Sequence, residues 1–165
     1  AVRCVGEMPV VGIGEAAFHM ASLIAGKFSV VTTLSRSVPA IEHNLVRYGL
    51  ASRCARVRAS DVPVLELEVP GSNARHRISE EIECAIRDDR AEAIVLGCAG
   101  MADLAAALSR EHGLPVLDGV ACAVKLCDSL VGLGLSTSKR GGYQLPLEKS
   151  FAGIFAPFSP SGRAP

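Results

Sequence analysis

Short apolar, strand-like runs alternate with amphipathic helical stretches along most of the chain. The run Ala93–Leu96 (AIVL) is wholly apolar, which is typical of a strand buried on both faces of a parallel sheet. Further strands are predicted at 10–13, 28–34, 64–69 and 115–117, and helices at about 15–25, 38–48, 74–88, 101–112 and 120–133. This order predicts an α/β fold with a four-stranded, mostly parallel sheet flanked by helices.

The predicted strands divide the chain unevenly. Residues 27–134 contain a complete four-strand set, so we interpret them as one α/β domain. Residues 1–26 contribute one strand and one helix, and residues 135–165 show little regular pattern. We interpret these two segments together as remnants of a second, similar α/β domain.

Charge and cysteine usage exclude several classes of function. Seventeen basic residues balance seventeen acidic ones, so the basic excess of a nucleic-acid or membrane-surface binder is absent. No apolar run approaches the roughly 18 residues that span a bilayer. The six cysteines form no Cys-x-x-Cys pair and the four histidines are scattered, so we expect no metal site. Reduced thiols in a cytoplasmic protein are the expected state.

The candidate site is expected at the edge of the sheet where the strands have their carboxyl ends. In open α/β sheets, ligands bind beyond the carboxyl ends of the strands. Three short segments stand at such ends: Thr32-Thr33, Gly97–Gly100 and Asp118-Gly119. The candidate functional residues are therefore expected in these segments.

Cys98 is the main candidate among them. It lies between a buried strand and a predicted helix start, where backbone N–H groups lack partners and the helix dipole favours a thiolate. The same N–H groups could bind a carboxylate or an enolate oxygen, and Gly97 and Gly100 allow close approach. Spacing alone equally allows a small structural residue at a tight turn. For Thr32 and Thr33 the pattern favours a plain strand role, because they are β-branched, although a hydroxyl at the end of a strand could donate to a substrate carboxylate or carbonyl.

Four segments together resemble the hydantoin racemases of the aspartate/glutamate racemase superfamily. They are PVVGIGEAAFHMA (9–21), FSVVTTLSRSVPAIEHNL (28–45), IVLGCAGMADL (94–104) and LSTSKRGGY (135–143). The resemblance implies two similar α/β domains with the active site between them, in a homo-oligomer that uses no cofactor or metal. It implies racemisation of 5-substituted hydantoins or of a related cyclic ureide such as allantoin.

The resemblance also implies the roles of individual residues. In such racemases one thiolate removes the proton from the stereogenic carbon, and an opposite thiol delivers a proton to the other face. Cys98 matches the second of the two family cysteines. The substrate contacts that the resemblance implies come from Thr32, Thr33, Gly97, Ala99 and Gly100.

The first family cysteine has no counterpart in this sequence. It lies upstream of the segment matching PVVGI, and Cys4 instead matches an ordinary helical residue. We therefore expect a piece of a longer protein, or a chain with half of the active site, and in either case exposed apolar surface that favours association. Two alternatives stay open: a single-cysteine decarboxylase of the same superfamily, and an inactive fragment that serves as an association unit.

Overall fold

Four parallel strands form the centre of the computed structural model, which describes residues 1–147 and 149–159. They are β1 (Phe28–Thr32), β2 (Cys54–Ala59), β3 (Ala93–Leu96) and β4 (Val116–Asp118), in the spatial order β2-β1-β3-β4. All three pairings are parallel, and in the central pair Val31 of β1 lies opposite Leu96 of β3. The predicted α/β fold with a four-stranded parallel sheet is confirmed.

Helices cover both faces of this sheet. The α-helices of the described residues are α1 (Val2–Val5), α2 (Ile13–Ile24), α3 (Val38–Arg47), α4 (Ala74–Asp89), α5 (Ala105–His112) and α6 (Gly119–Gly132), and the two faces are covered by α2 to α5. On one face, Val30 packs with Phe18 of α2 and Leu45 of α3. On the other face, Val31 packs with residues of α4 and α5 such as Ile78 and Leu108. Successive residues of β1 thus enter opposite cores, as the twofold repeat of a strand requires.

Two of the predicted strands are wrong. Residues 64–69 contain a 3-10 helix, Val64–Glu68, which follows Pro63. The alternating apolar residues do not form one buried face, because Leu67 packs on the core whereas Leu65 is 79% exposed. Residues 10–13 are extended only up to Gly12, and they pair with no strand in the described part of the chain before α2 begins at Ile13.

The helix predicted at 101–112 also differs in detail. The chain first forms a 3-10 helix, Ala99–Leu104, and continues as α5 from Ala105. α5 ends at His112 and is followed by Gly113, whose φ of +67° favours glycine. The last strand leads into α6 through Asp118, whose carboxylate accepts hydrogen bonds from the N–H groups of Val120 and Ala121 at 2.9 and 2.8 Å.

Backbone contacts divide the chain into two compact units. The first unit comprises Ala1–Val10 and Leu130–Pro165, and the second unit comprises Val11–Ser129. The sheet and the helices α2 to α5 belong to the second unit.

Hydrogen bonds connect the two segments of the first unit. The Lys139 ammonium donates to the carbonyls of Arg3 (2.8 Å), Cys4 (3.4 Å) and Gly6. The backbone N–H and hydroxyl of Thr137 donate to the carbonyls of residues 7 and 8, at 2.8 and 2.7 Å. The polar segment STSKRGGY therefore satisfies backbone groups of the N-terminal residues.

The first unit also exposes many apolar side chains. Most of the surface of Val2, Val5, Met8, Leu133 and Leu135 is accessible to solvent. The expected exposed apolar surface is thus present. No helix among the described residues combines the length and the apolar character needed to cross a bilayer.

Candidate active site

A cavity of about 200 Å³ opens at the carboxyl end of β3, within the second unit. Gly97, Cys98 and Ala99 form part of its wall. These residues belong to the turn 97–100, which we call the Cys98 turn. The cavity therefore lies where the topology of a parallel sheet places ligands.

The Cys98 turn presents backbone donors beside a thiol. Cys98 is half-buried and extended, with φ −140° and ψ 132°, and its carbonyl accepts a hydrogen bond from the Met101 N–H at 3.1 Å. The Gly97 N–H donates to the carbonyl of Val31 at 2.8 Å. The next three N–H groups, from residue 98 to Gly100, donate to no acceptor in the described part of the chain. Free N–H groups of this kind can bind an oxygen that gains negative charge.

Two glycines of the cavity wall allow other elements to approach closely. A β-carbon on Gly97 would lie 2.9 Å from Cβ of Thr32 and 3.1 Å from Cγ1 of Val30, both on β1. A β-carbon on Gly119 would lie 2.9 Å from the carbonyl oxygen of Ile13, at the start of α2. The two distances of 2.9 Å leave no room for a side chain, so glycine is required where β1 packs on the Cys98 turn and where α2 begins against α6.

The remaining walls of the cavity are mainly apolar. Ile13 and Phe18 of α2, Ile41 of α3 and the end of β3 supply them. Asn44 of α3 and Tyr48, the residue that follows α3, add polar groups. These residues are not among the predicted site residues. The spacing of Ile41 and Tyr48, which places both on one face of the helix predicted at 38–48, is the signal that could have indicated them.

The structure brings together only some of the predicted site residues. Thr32 and Thr33 are 1% and 3% exposed and lie outside the cavity wall. The Thr32 hydroxyl donates to the carbonyl of Gly97 at 3.4 Å, so Thr32 lies directly behind the Cys98 turn. Gly100 also lies outside the wall, although a β-carbon there would be 3.8 Å from Sγ of Cys98. Substrate contacts by these three residues stay predictions.

Other thiols differ from Cys98 in their surroundings. Burial raises the pKa of Cys54 to about 11, and burial followed by the charge of Asp118 raises the pKa of Cys122. Within the described part of the chain, Cys98 is the one cysteine that lines the cavity. The described residues contain no group of three or more His, Cys, Asp or Glu side chains that could hold a metal ion.

The geometry can be compared with proteins of known activity. Hydantoin racemase from Rhizobium meliloti is 48% identical over 153 residues, which are 93% of this chain and 64% of that protein. The structure of allantoin racemase from Klebsiella pneumoniae matches with a TM-score of 0.88 and 46% identity, over 96% of this chain and 64% of that one. Allantoin racemase from Pseudomonas fluorescens matches with a TM-score of 0.88 and 48% identity, over 92% of this chain and 65% of that one.

These comparisons establish the family and the extent of the match. The chain spans about 64% of the length of the relatives that it resembles. The sequence model described as Asp/Glu/Hydantoin racemase matches residues 1–127, which is most of the chain. This protein therefore belongs to the Asp/Glu/hydantoin racemase family.

Proposed function

We propose that the protein is part of a racemase that interconverts the enantiomers of a 5-substituted hydantoin or of a related cyclic ureide. The single observation that carries the proposal is the position of Cys98, whose thiol shares a cavity with a turn of unpaired N–H groups. The names and identities of the racemases that match the chain support this substrate class.

The proposed reaction begins with proton transfer from carbon to sulfur. The thiolate of Cys98 accepts the hydrogen of the stereogenic carbon, and the electron pair of that C–H bond moves into the neighbouring carbonyl as an enolate. The N–H groups of residues 98–100 donate to the enolate oxygen as its negative charge develops. A proton returned to the same carbon from the opposite face gives the other enantiomer.

The second proton carrier is the remaining part of the proposal. We propose that a second thiol, outside residues 1–165, donates from the opposite face, since the matching racemases are longer than this chain. Two thiols exchanging one proton each need no cofactor or metal in this scheme. Thr32, Thr33 and Gly100 are proposed to contact the substrate or to hold the Cys98 turn in place.

Exchange of the stereogenic hydrogen tests the proposal. The protein as its gene encodes it is incubated in D₂O with one enantiomer of allantoin or of a 5-alkylhydantoin. Incorporation of deuterium together with loss of optical rotation is expected. If neither occurs above the uncatalysed rate, the proposed function is wrong.

Substitution of Cys98 tests the assigned base. Cys98→Ser preserves side-chain volume but replaces an ionisable thiol by a hydroxyl, so exchange should fall by at least roughly 100-fold. Cys84→Ser is the matched control, because Cys84 is half-buried on α4, outside the cavity wall. Full activity in Cys98→Ser, or equal losses in the two variants, would contradict the assignment.

A further inference from the structure

Sequence identity does not separate two possible substituents on the substrate. The hydantoin racemase from Rhizobium meliloti and the allantoin racemase from Pseudomonas fluorescens are both 48% identical to this chain. Allantoin is a hydantoin that carries a polar ureido group on its stereogenic carbon, whereas an alkylhydantoin carries a hydrocarbon there. The walls of the cavity beside Cys98 distinguish between these two classes.

Given the proposed function, we infer that this cavity holds the substituent of the stereogenic carbon and that Asn44 selects a substituent ending in a urea or amide group. The inference concerns the substrate class of the site, and Asn44 is its specificity-determining residue. It rests on the composition of the walls, the size of the cavity and the hydrogen-bonding state of Asn44.

The ring and its substituent suit different ends of the cavity. A hydantoin ring carries two carbonyl groups and two N–H groups, which are costly to bury without partners. Ile13, Phe18 and Ile41 offer none, whereas free N–H groups lie along residues 98–100, and Cys98 and Ala99 form part of the cavity wall. The ring is therefore best placed at the Cys98 end of the cavity, with its substituent directed towards α2 and α3.

The volume of the cavity fits a group of the required size. Benzene occupies an engineered protein cavity of about 150 Å³, so about 200 Å³ accepts a ureido, branched alkyl or benzyl group. Size alone does not choose among these groups. The choice depends on the polar atoms that the cavity presents.

Asn44 presents an amide to the cavity without a partner of its own. Its side chain is half-buried and makes no hydrogen bond in the described part of the chain. A hydrocarbon substituent would cover this amide and leave its donor and acceptor unpaired, which opposes binding. A urea offers both an N–H donor and a carbonyl acceptor. A site that hydrogen-bonds a polar group discriminates strongly against an analogue lacking it.

The test compares two substrates across variants of the full-length protein. The values of kcat/KM for racemisation of allantoin and of 5-isobutylhydantoin are measured for the wild type, for Asn44→Leu and for His43→Leu. We expect the ratio of allantoin to isobutylhydantoin to fall at least about tenfold in Asn44→Leu. His43 is exposed on α3 and lies outside the cavity wall, so His43→Leu should leave the ratio unchanged.

The outcomes separate the two proposals. An unchanged ratio in Asn44→Leu, or an equal change in His43→Leu, overturns the role of Asn44 while racemisation itself still stands. If the wild type racemises neither substrate, the proposed function is wrong and this inference falls with it. Should Asn44→Leu fold poorly, as judged by its thermal midpoint, Asn44→Ala removes the same amide without adding bulk and must shift the ratio in the same direction.

Discussion

Gly97 is the residue at which β1 approaches the Cys98 turn most closely. An added β-carbon would lie 2.9 Å from Cβ of Thr32, inside the contact distance of two carbon atoms, and Thr32 is too buried to move away. Gly97→Ala should therefore lower the free energy of unfolding by about 1–3 kcal/mol, as overpacking of a core does. Denaturant unfolding followed by circular dichroism measures this difference.

A second glycine of the cavity wall provides the control for this prediction. A β-carbon on Gly14 would lie 3.7 Å from the ring of Phe18, an ordinary van der Waals contact, and Gly14 is in the first turn of α2. Gly14→Ala should leave stability unchanged or raise it by up to about 1 kcal/mol. Equal stabilities for Gly97→Ala and Gly14→Ala would show that the approach of Thr32 is not the constraint.

Cys54 provides a prediction about thiol reactivity. Its pKa of about 11 leaves roughly one molecule in a thousand as thiolate at pH 8, because the buried charged form is desolvated. Iodoacetamide at pH 8 should modify Cys54 of the native protein far more slowly than that of the denatured protein, as followed by peptide mass spectrometry. Comparable rates in the two states would contradict the burial of this thiol.

The sequence pattern predicted the position of Cys98 at the end of a strand, but it did not predict the walls around this residue. The apolar run AIVL followed by Gly-Cys-Ala-Gly is a local pattern, and the sheet-edge rule turns it directly into a position. Asn44 and Ile13 reach the same cavity only because α2 and α3 pack on one face of the sheet. Their positions in the cavity wall depend on tertiary packing, which a local pattern does not encode.

At the scale of elements, strand β2 is held by a charged network. Arg58 of β2 donates to both carboxylate oxygens of Asp89, the last residue of α4, at 2.6 and 2.8 Å. The Ser29 hydroxyl of β1 donates to the same carboxylate at 3.2 Å. These bonds raise the pKa of Arg58 above its usual value, the largest cause being the hydrogen bond to Asp89. One carboxylate thus connects two strands and a helix.

Removing this carboxylate should destabilise the second unit. Asp89→Asn leaves the largely buried Arg58 without its main partner, although Glu81 remains 3.4 Å away, so we expect a loss of about 2 kcal/mol. Asp88→Asn is the matched control, because Asp88 is more exposed and 3.7 Å from Arg58, and should cost below about 1 kcal/mol. Thermal or denaturant unfolding distinguishes the two, and similar losses would contradict the network.

The same network explains why β2 was missed in the sequence. The segment CARVRA at 54–59 contains two arginines and lacks an apolar run, since its position at the edge of the sheet leaves it only partly buried. VLELEV alternates more regularly, but Pro63 and Pro70 bracket it and only Leu67 of its apolar residues reaches the core. An alternating pattern predicts a strand only where a neighbouring strand is available to pair with it.

At the scale of the whole molecule, the two units depend on different interactions. The second unit contains both hydrophobic cores described above, whereas the first unit exposes Val2, Val5 and Leu133 to solvent. Polar contacts to backbone carbonyls therefore account for much of the order in the first unit. Chief among them are the bonds from the Lys139 ammonium.

Replacing Lys139 should loosen the first unit selectively. The carbonyls of residues 3, 4 and 6 lie at or just beyond the C-terminal end of α1, where carbonyls have no partner within the helix and can accept hydrogen bonds from the ammonium. In Lys139→Met we expect the Thr137 amide, bonded to the Glu7 carbonyl at 2.8 Å, to exchange its hydrogen roughly tenfold faster. The Ile94 amide of β3, bonded to the Pro115 carbonyl at 2.9 Å, should keep its protection.

Arg140 supplies the control for this last prediction. It is the neighbouring cation, it is exposed, and its side chain makes no hydrogen bond or ion pair in the described part of the chain. Arg140→Met removes the same charge from the same segment, so it should leave exchange at Thr137 nearly unchanged. If both variants accelerated exchange equally, net charge and not the carbonyl contacts of Lys139 would hold the segment. If Lys139→Met accelerated exchange at Ile94 as much as at Thr137, the two units would open together and not separately.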